Sequence, residues 1–147
     1  MFERVPFSAL AEVNPRTELP TGLSPSVSVS FIPMSDVSES GRWETQQERL
    51  LATVSRGYTS FREGDVLVAK ITPCMENGKG AHARGLVGGL GFGSTEFHVL
   101  RARPDVDPRF IYHWTRSPSL RAKAEAFMSG SAGQQRVEKE FFEKFLV

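Results

Sequence analysis

A chain of 147 residues with 39% hydrophobic and 24% charged side chains has the make-up of one soluble globular domain with a full-sized core. No apolar run approaches the roughly 18 residues of a membrane helix, the opening MFERVPFSALAEV lacks the long apolar stretch of a secretory signal, and a single cysteine, Cys74, excludes an internal disulfide framework and fits a reduced, cytoplasmic setting. The net charge of +1 excludes nothing, but residues 56–123 carry 11 basic against 6 acidic side chains while residues 1–55 carry 4 against 7, so the middle of the chain is the part expected to face a polyanion.

In chain order, residues 14–30, rich in Pro, Ser and Thr, predict an extended loop. Val27, Val29 and Phe31 alternate with serines and predict a short half-buried strand that ends at Ile32-Pro33. Residues 35–50, polar around Trp43, predict a surface excursion with one helical turn. Arg62-Glu63-Gly64-Asp65 is a turn leading into the buried strand Val66-Leu67-Val68-Ala69, which Pro73 ends. Seven glycines between Gly78 and Gly93 favour tight loops and short strands over helix. In STEFHVLRA, Phe97 and Val99 share one face, Glu96 and His98 the other.

From Asp107 the period becomes helical. Asp107 is a predicted N-cap, Pro108 opens the helix, and Phe110, Ile111 and Trp114 follow at helical spacing. Ser117-Pro118 starts a second helix whose Leu120, Ala124, Phe127 and Met128 share a face. MSGSAGQQR is a loop, and VEKEFFEKFLV a short helix whose last residues turn into strand. The expected class is α+β (mixed α/β): a twisted, mostly antiparallel β-sheet with irregular loops and C-terminal helices.

Catalytic and cofactor patterns are weak. Cys74 lacks a histidine in a recognisable arrangement, so no catalytic residue is assigned, though a small cysteine hydrolase stays as a rival. Cys74, His82, His98 and His113 are spaced 8, 16 and 15 apart, and with no CxxC or HxxxH pair a metal is not expected. ENGKGA is not a GxxxxGK[ST] phosphate loop, and Gly91-Phe92-Gly93 has no clear following helix, so no cofactor is expected. Asn14-Pro15-Arg16 is not the Asn-Pro-Pro-aromatic motif of adenine amino-methyltransferases. DNA fits better. Lys70, Lys79, Arg84, Arg101 and Arg103 fall at strand ends, and Gln134, Gln135 and Arg136 crowd one loop with Ser129 and Ser131. Arg and Gln read guanine and adenine edges, while Lys and Ser hold phosphates. Glu96 either accepts from a cytosine amino group or pairs with an arginine.

Four segments, FREGDVLVAKITPCMENGKGA, GFGSTEFHVLRA, DPRFIYHWTRS and MSGSAGQQRV, in this order and spacing, resemble the target-recognition domain of type I restriction–modification specificity subunits. The resemblance runs from about Val5 to the C-terminus. It implies a mixed α/β domain without catalytic activity that reads one half of a split duplex DNA target. It also implies partners: separate modification (methyltransferase) and restriction subunits, and a second recognition domain held apart by spacer helices. Residues 1–147 are then one recognition domain lacking the spacer helix usual in the family. Under this reading Thr72, Gln134, Gln135 and Arg136 are base-reading candidates, and Lys70, Lys79, Arg84, Ser129 and Ser131 meet the DNA backbone. ITPCMENGKGA becomes a scaffold turn, shaped by Pro73 and Asn77-Gly78, at the edge of the DNA-facing surface. Two further rivals remain beside the cysteine hydrolase: the recognition domain of a fused restriction–methyltransferase enzyme, and a protein-interaction module presenting Phe141, Phe142 and Phe145.

Overall fold

A computed structural model describes residues 3–130 and 134–147. Among the described residues, eight short strands form two four-stranded sheets. The first contains β1 (Ala11–Val13), β8 (Phe97–Ala102), β5 (Val66–Ala69) and β6 (Gly80–His82), in that order and wholly antiparallel. The second contains β3 (Gln47–Leu50), β2 (Ser28–Ile32), β7 (Leu90–Gly93) and β4 (Thr59–Arg62), with β2 and β7 parallel and the other pairs antiparallel. Among the described residues there are also four α-helices: α1 (Leu51–Val54), α2 (Pro108–Thr115), α3 (Pro118–Ala126) and α4 (Lys139–Lys144). The expected mixed α/β class is the one found, with mostly antiparallel pairing, but the strands divide into two sheets where one was expected.

Side-chain alternation explains the layering. In β5, Val66 and Val68 face the C-terminal helices and pack with Leu100, Ile111, Leu120 and Phe142. Leu67 points the other way, joining Phe97 and Val99 of β8 and Ile32 and Phe61 of the second sheet. Val29, Phe31, Leu90 and Phe92 form the outer face of the second sheet, covered by Leu51 and Val54 of α1. Each fully buried apolar side chain in these layers contributes roughly 1.5–3 kcal/mol. Gly91, opposite Phe61 on the neighbouring strand, leaves room for the Phe61 ring to lie over β7 on the side facing the first sheet. Asp107 caps α2 by accepting from the Arg109 N–H at 2.9 Å, and Ser117 caps α3.

Several expectations are corrected. The strand around Val29 is buried on both faces, not one, because β2 lies inside its sheet with α1 on one side and the first sheet on the other. Its Ser30 is buried with its hydroxyl accepting from the Val87 N–H at 2.9 Å, and Val27 lies outside the strand and exposed. Residues 35–50 contain the edge strand β3, whose polar composition follows from its mostly exposed side chains. In the last two helices Leu120, Ala124 and Phe142 are buried, but Phe127 is 68% exposed beyond the end of α3. Of the three phenylalanines expected on an apolar outer face, Phe142 and Phe145 are buried and only Phe141 is half-buried. No helix among the described residues is long and apolar enough to cross a membrane.

Candidate nucleic-acid interface

Strand directions place several loops at one end of the molecule. In the second sheet β2 and β7 run parallel and end at Ile32 and Gly93, while β4 starts there, Thr59 opposite Gly93. In the first sheet β5 ends at Ala69 opposite Phe97, the start of β8, and Ala69 N–H bonds the Lys79 carbonyl ahead of β6. Residues 94–96 join β7 to β8, so the two sheet ends lie side by side. The Lys79 ammonium ties them, donating to the Met34 carbonyl at 3.2 Å. The loop end therefore gathers residues 33–34, 56–58, 70–79 and 94–96.

The chain from α3 to α4 adds a fifth segment. Thr72 N–H donates to the Gln135 carbonyl at 2.8 Å, Val137 N–H donates to the Lys70 carbonyl at 2.9 Å, and Ile71 and Arg136 form a bridge between them. Arg136 is paired on its other side with Ser129 through two backbone bonds of 2.9 and 3.0 Å. Two segments more than 60 residues apart in sequence are thus zipped into one edge carrying Lys70, Thr72, Ser129, Gln134, Gln135 and Arg136. Gly130 has φ +119°, and a Cβ there would crowd the Gln134 carbonyl.

Side chains on this edge are partly committed to one another. The Arg136 guanidinium grips Glu96 with two bonds of 2.9 Å and adds a third to the Gln134 carbonyl at 3.2 Å. The hydrogen bond from Arg136 holds the Glu96 carboxyl below the usual range, and the same contact raises Arg136. Of the two sequence alternatives for Glu96, pairing with an arginine is the one observed. The Thr72 hydroxyl donates to Glu76, across a turn that contains a cis Thr72–Pro73 peptide. The ends of Gln134 and Lys70 make no hydrogen bond to protein among the described residues, and Gln134 is exposed. The exposed Arg56 and Tyr58, and Thr95, complete the loop end.

His98 supports the zipped edge from beneath. A carbonyl cannot donate, so the imidazole gives its Nε2–H to the Val137 carbonyl at 2.7 Å and its bare Nδ1 accepts from the Asn14 amide at 3.0 Å. Asn14, with φ 54°, is held in place by its side-chain amide oxygen, which accepts from the Val99 N–H at 2.9 Å. Burial lowers the pKa of His98. The unfolded chain therefore takes up this proton first as pH falls through about 6.5, and stability present above that pH is lost below it. Urea midpoints are expected to fall between pH 7 and pH 5, with a slope of at most about 1.4 kcal/mol per pH unit for this histidine. A His98→Gln variant, less stable at pH 7, is expected to show a shallower slope; an unchanged slope contradicts this role.

Of the other predicted residues, Lys79 is at the loop end but bonded to Met34, and Ser131 lies outside the described residues. Arg84 is exposed at the opposite end of the β5–β6 pair, beyond His82, whose partner is Val66. Arg101 is buried against Asp65, and Arg103 donates to the Ser8 carbonyl. Cys74 is half-buried, and His82 and His98 spend ring nitrogens on backbone carbonyls rather than on it. Among the described residues no three His, Cys, Asp or Glu side chains gather into a metal site. Asn14, Arg56, Tyr58 and Thr95 were missed; Asn14 carried a signal, since Asn is one of the few residues that tolerate positive φ.

No family model matches this sequence. Two curated proteins of Escherichia coli do: the type I restriction enzyme EcoEI specificity subunit is 38% identical over 146 residues, and the EcoAI specificity subunit 38% identical over 145. These alignments take in 98% and 97% of this chain but 24% of each relative, so the chain spans about a quarter of their length. Among solved structures, the HsdS subunit from Thermoanaerobacter tengcongensis shares the fold with a TM-score of 0.71 at 22% identity, over 99% of this chain and 37% of that one. A chain from structural work on complex assembly and conformational transition of the type I R-M system gives a TM-score of 0.70 at 21% identity, over the same shares. The resemblance carried by the four sequence segments is borne out: over nearly its whole length the chain corresponds to one domain-sized part of a type I restriction enzyme specificity subunit.

Proposed function

We propose that residues 1–147 form one target-recognition unit that binds duplex DNA sequence-specifically, reading one half of a split target within a type I restriction–modification system. The unit is non-catalytic in this reading; methylation and cleavage belong to modification and restriction subunits, and a second recognition domain reads the other half-site. The observation that carries the reading is the zipped edge, where Thr72, Gln134 and Gln135 stand beside Lys70 at the end of two packed sheets. Amide and hydroxyl side chains on a rigid stem suit base edges, and a lysine suits a phosphate. The curated relatives' names support the same conclusion.

Roles divide as follows. Gln134 and Gln135 read bases, with Thr72 beside them. Lys70, Ser129 and Arg56 meet phosphates. Arg136, its fork closed on Glu96, frames the turn and reaches a base only by exchanging that carboxylate. Lys79 ties the two sheets together at the rim. The test is binding to a randomised duplex pool followed by affinity measurements across salt. Gln134→Ala with Gln135→Ala is expected to lose about 1–3 kcal/mol on the selected site and little on other sequences. Lys70→Ala is expected to weaken all sequences alike and to reduce the salt slope by about one. Equal losses on every sequence for both variants refute this division, and a pool that yields no preferred sequence refutes specific reading.

A further inference from the structure

Few cationic side chains at the loop end are uncommitted among the described residues. Lys79 is bonded to Met34 and Arg136 to Glu96, which leaves Lys70 and Arg56. A duplex laid there still carries a dense row of phosphates. Unpaired arginines occur on the flank instead, in a cleft of about 450 Å³ between residues 41–46, strand β6 and helix α2. Arg42 and Arg84 are exposed on its rim, and neither side chain makes a hydrogen bond to protein among the described residues. Arg109 is the third cation, already paired with Asp107 at 2.8 Å. The floor is His82 stacked on Tyr112, ring centres 5.6 Å apart and planes 20° from parallel. Trp43 lines the cleft and donates its indole N–H to the Thr45 carbonyl.

The cleft is held open by hydrogen bonds. The Tyr112 hydroxyl donates to the Gly41 carbonyl at 2.8 Å, and Arg116 donates to the Gly78 carbonyl at 2.6 Å and the Glu39 carbonyl at 2.8 Å. Two carboxylates near His82 are occupied, Asp107 by Arg109 and Glu63 by the N–H groups of Gly85 and Leu86, while Glu44 on the 41–46 segment is exposed. His82 gives its Nε2–H to the Gly64 carbonyl at 3.1 Å, so Nδ1 is its free nitrogen. Burial lowers the pKa of this histidine, and the Arg84 charge nearby lowers it further. Arg84 lies two residues beyond His82, the strand partner of Val66, and so about six residues along the β5 direction from Lys70, about 20 Å at roughly 3.3 Å per residue. That is about six base-pair steps along a duplex.

We propose that this flank cleft binds phosphate groups, with Arg42 and Arg84 as the contacting cations. The source is the backbone of the duplex whose bases meet the loop end, and to that extent the assignment rests on the DNA reading above. Free phosphate or pyrophosphate is the other source of the same chemistry. Trp43 is a built-in reporter once the second tryptophan is removed by Trp114→Phe. In that background, Trp43 emission is followed during titration with a mixed-sequence duplex at low salt and, separately, with sodium pyrophosphate. Both are expected to change it saturably, and Arg42→Ser with Arg84→Ser is expected to abolish the change and lower the duplex salt slope by about two. A response to pyrophosphate alone upholds the phosphate site and assigns it to a free ligand. Duplex binding, seen by gel shift, with Trp43 silent to both ligands overturns the cleft proposal and leaves the loop-end reading standing. Absence of any duplex binding, with Trp43 responding to pyrophosphate, overturns the DNA reading and leaves the cleft.

Discussion

Asp65→Ala is expected to lose about 3–5 kcal/mol of stability, measured by urea unfolding at pH 7. Asp65 ends the Arg62–Asp65 turn, and its carboxylate accepts two bonds from the Arg101 guanidinium, at 2.9 and 2.8 Å, and a third from the Arg62 N–H at 2.9 Å. The carboxylate and the guanidinium are both almost wholly withdrawn from water. Arg101 extends further, to the Thr17 hydroxyl at 2.9 Å, and so anchors the extended segment 14–20 to the first sheet. Alanine at position 65 leaves a buried guanidinium facing no counter-charge, and that desolvation dominates the loss. Replacing both partners, as Asp65→Leu with Arg101→Met, is expected to recover much of it, because an apolar pair has no charge to desolvate. A single variant within about 0.5 kcal/mol of the parent contradicts the view that this pair holds β5 and β8 together at the end away from the loops.

Gly91→Val is expected to cost roughly 3 kcal/mol, the upper part of the range for overpacking a core. A Cβ on Gly91 would fall inside the contact distance of the Phe61 ring, which is fully buried between the sheets. Neither a ring packed on all sides nor the parallel β2–β7 ladder yields easily. In a Phe61→Leu background the same substitution is expected to cost at least 1 kcal/mol less, a coupling that a double-mutant cycle reads directly. Additive costs mean that Gly91 is not what makes room for the Phe61 ring over β7. The point bears on function, since the spacing of the sheets sets where residues 33–34, 56–58 and 94–96 lie relative to Lys70.

What the sequence revealed followed the range of the interactions involved. Local features were legible: Asp107 and Pro108 announce α2, Ser117-Pro118 announces α3, and the apolar run at Val66 announces β5. The glycine-rich stretch before Gly93 was legible as turns and strands, but its division between two sheets was not. That division depends on which strand Gly91 lies beside, and β2, its parallel partner, is about 60 residues earlier. The edge strand β3 went unseen because an exposed strand needs no apolar alternation.

The candidate site was half legible for the same reason. Chemical type picked out Lys70, Thr72, Gln134, Gln135 and Arg136 separately, and the backbone pairing of Thr72 with Gln135 brings them together. Residue type alone did not show that Lys79 is turned to Met34 or that Glu96 takes the Arg136 fork. It grouped Arg84 with the loop-end residues, whereas the β5–β6 register carries it to the other end. Arg101 read as a surface cation, yet its partner Asp65, 36 residues earlier, draws it into the interior.

The most direct test of the central claim is a chemical-shift titration of the nitrogen-15-labelled chain with its selected duplex, at low and then physiological salt. The account predicts that the largest amide shifts fall on residues 70–72, 94–96 and 134–137, and that those at Gln134 and Gln135 persist as salt rises while the shift at Lys70 shrinks. Shifts confined to the helical face around α3 and α4, or none with a duplex that binds by an independent measure, would contradict the assignment of this loop end as the DNA-reading surface.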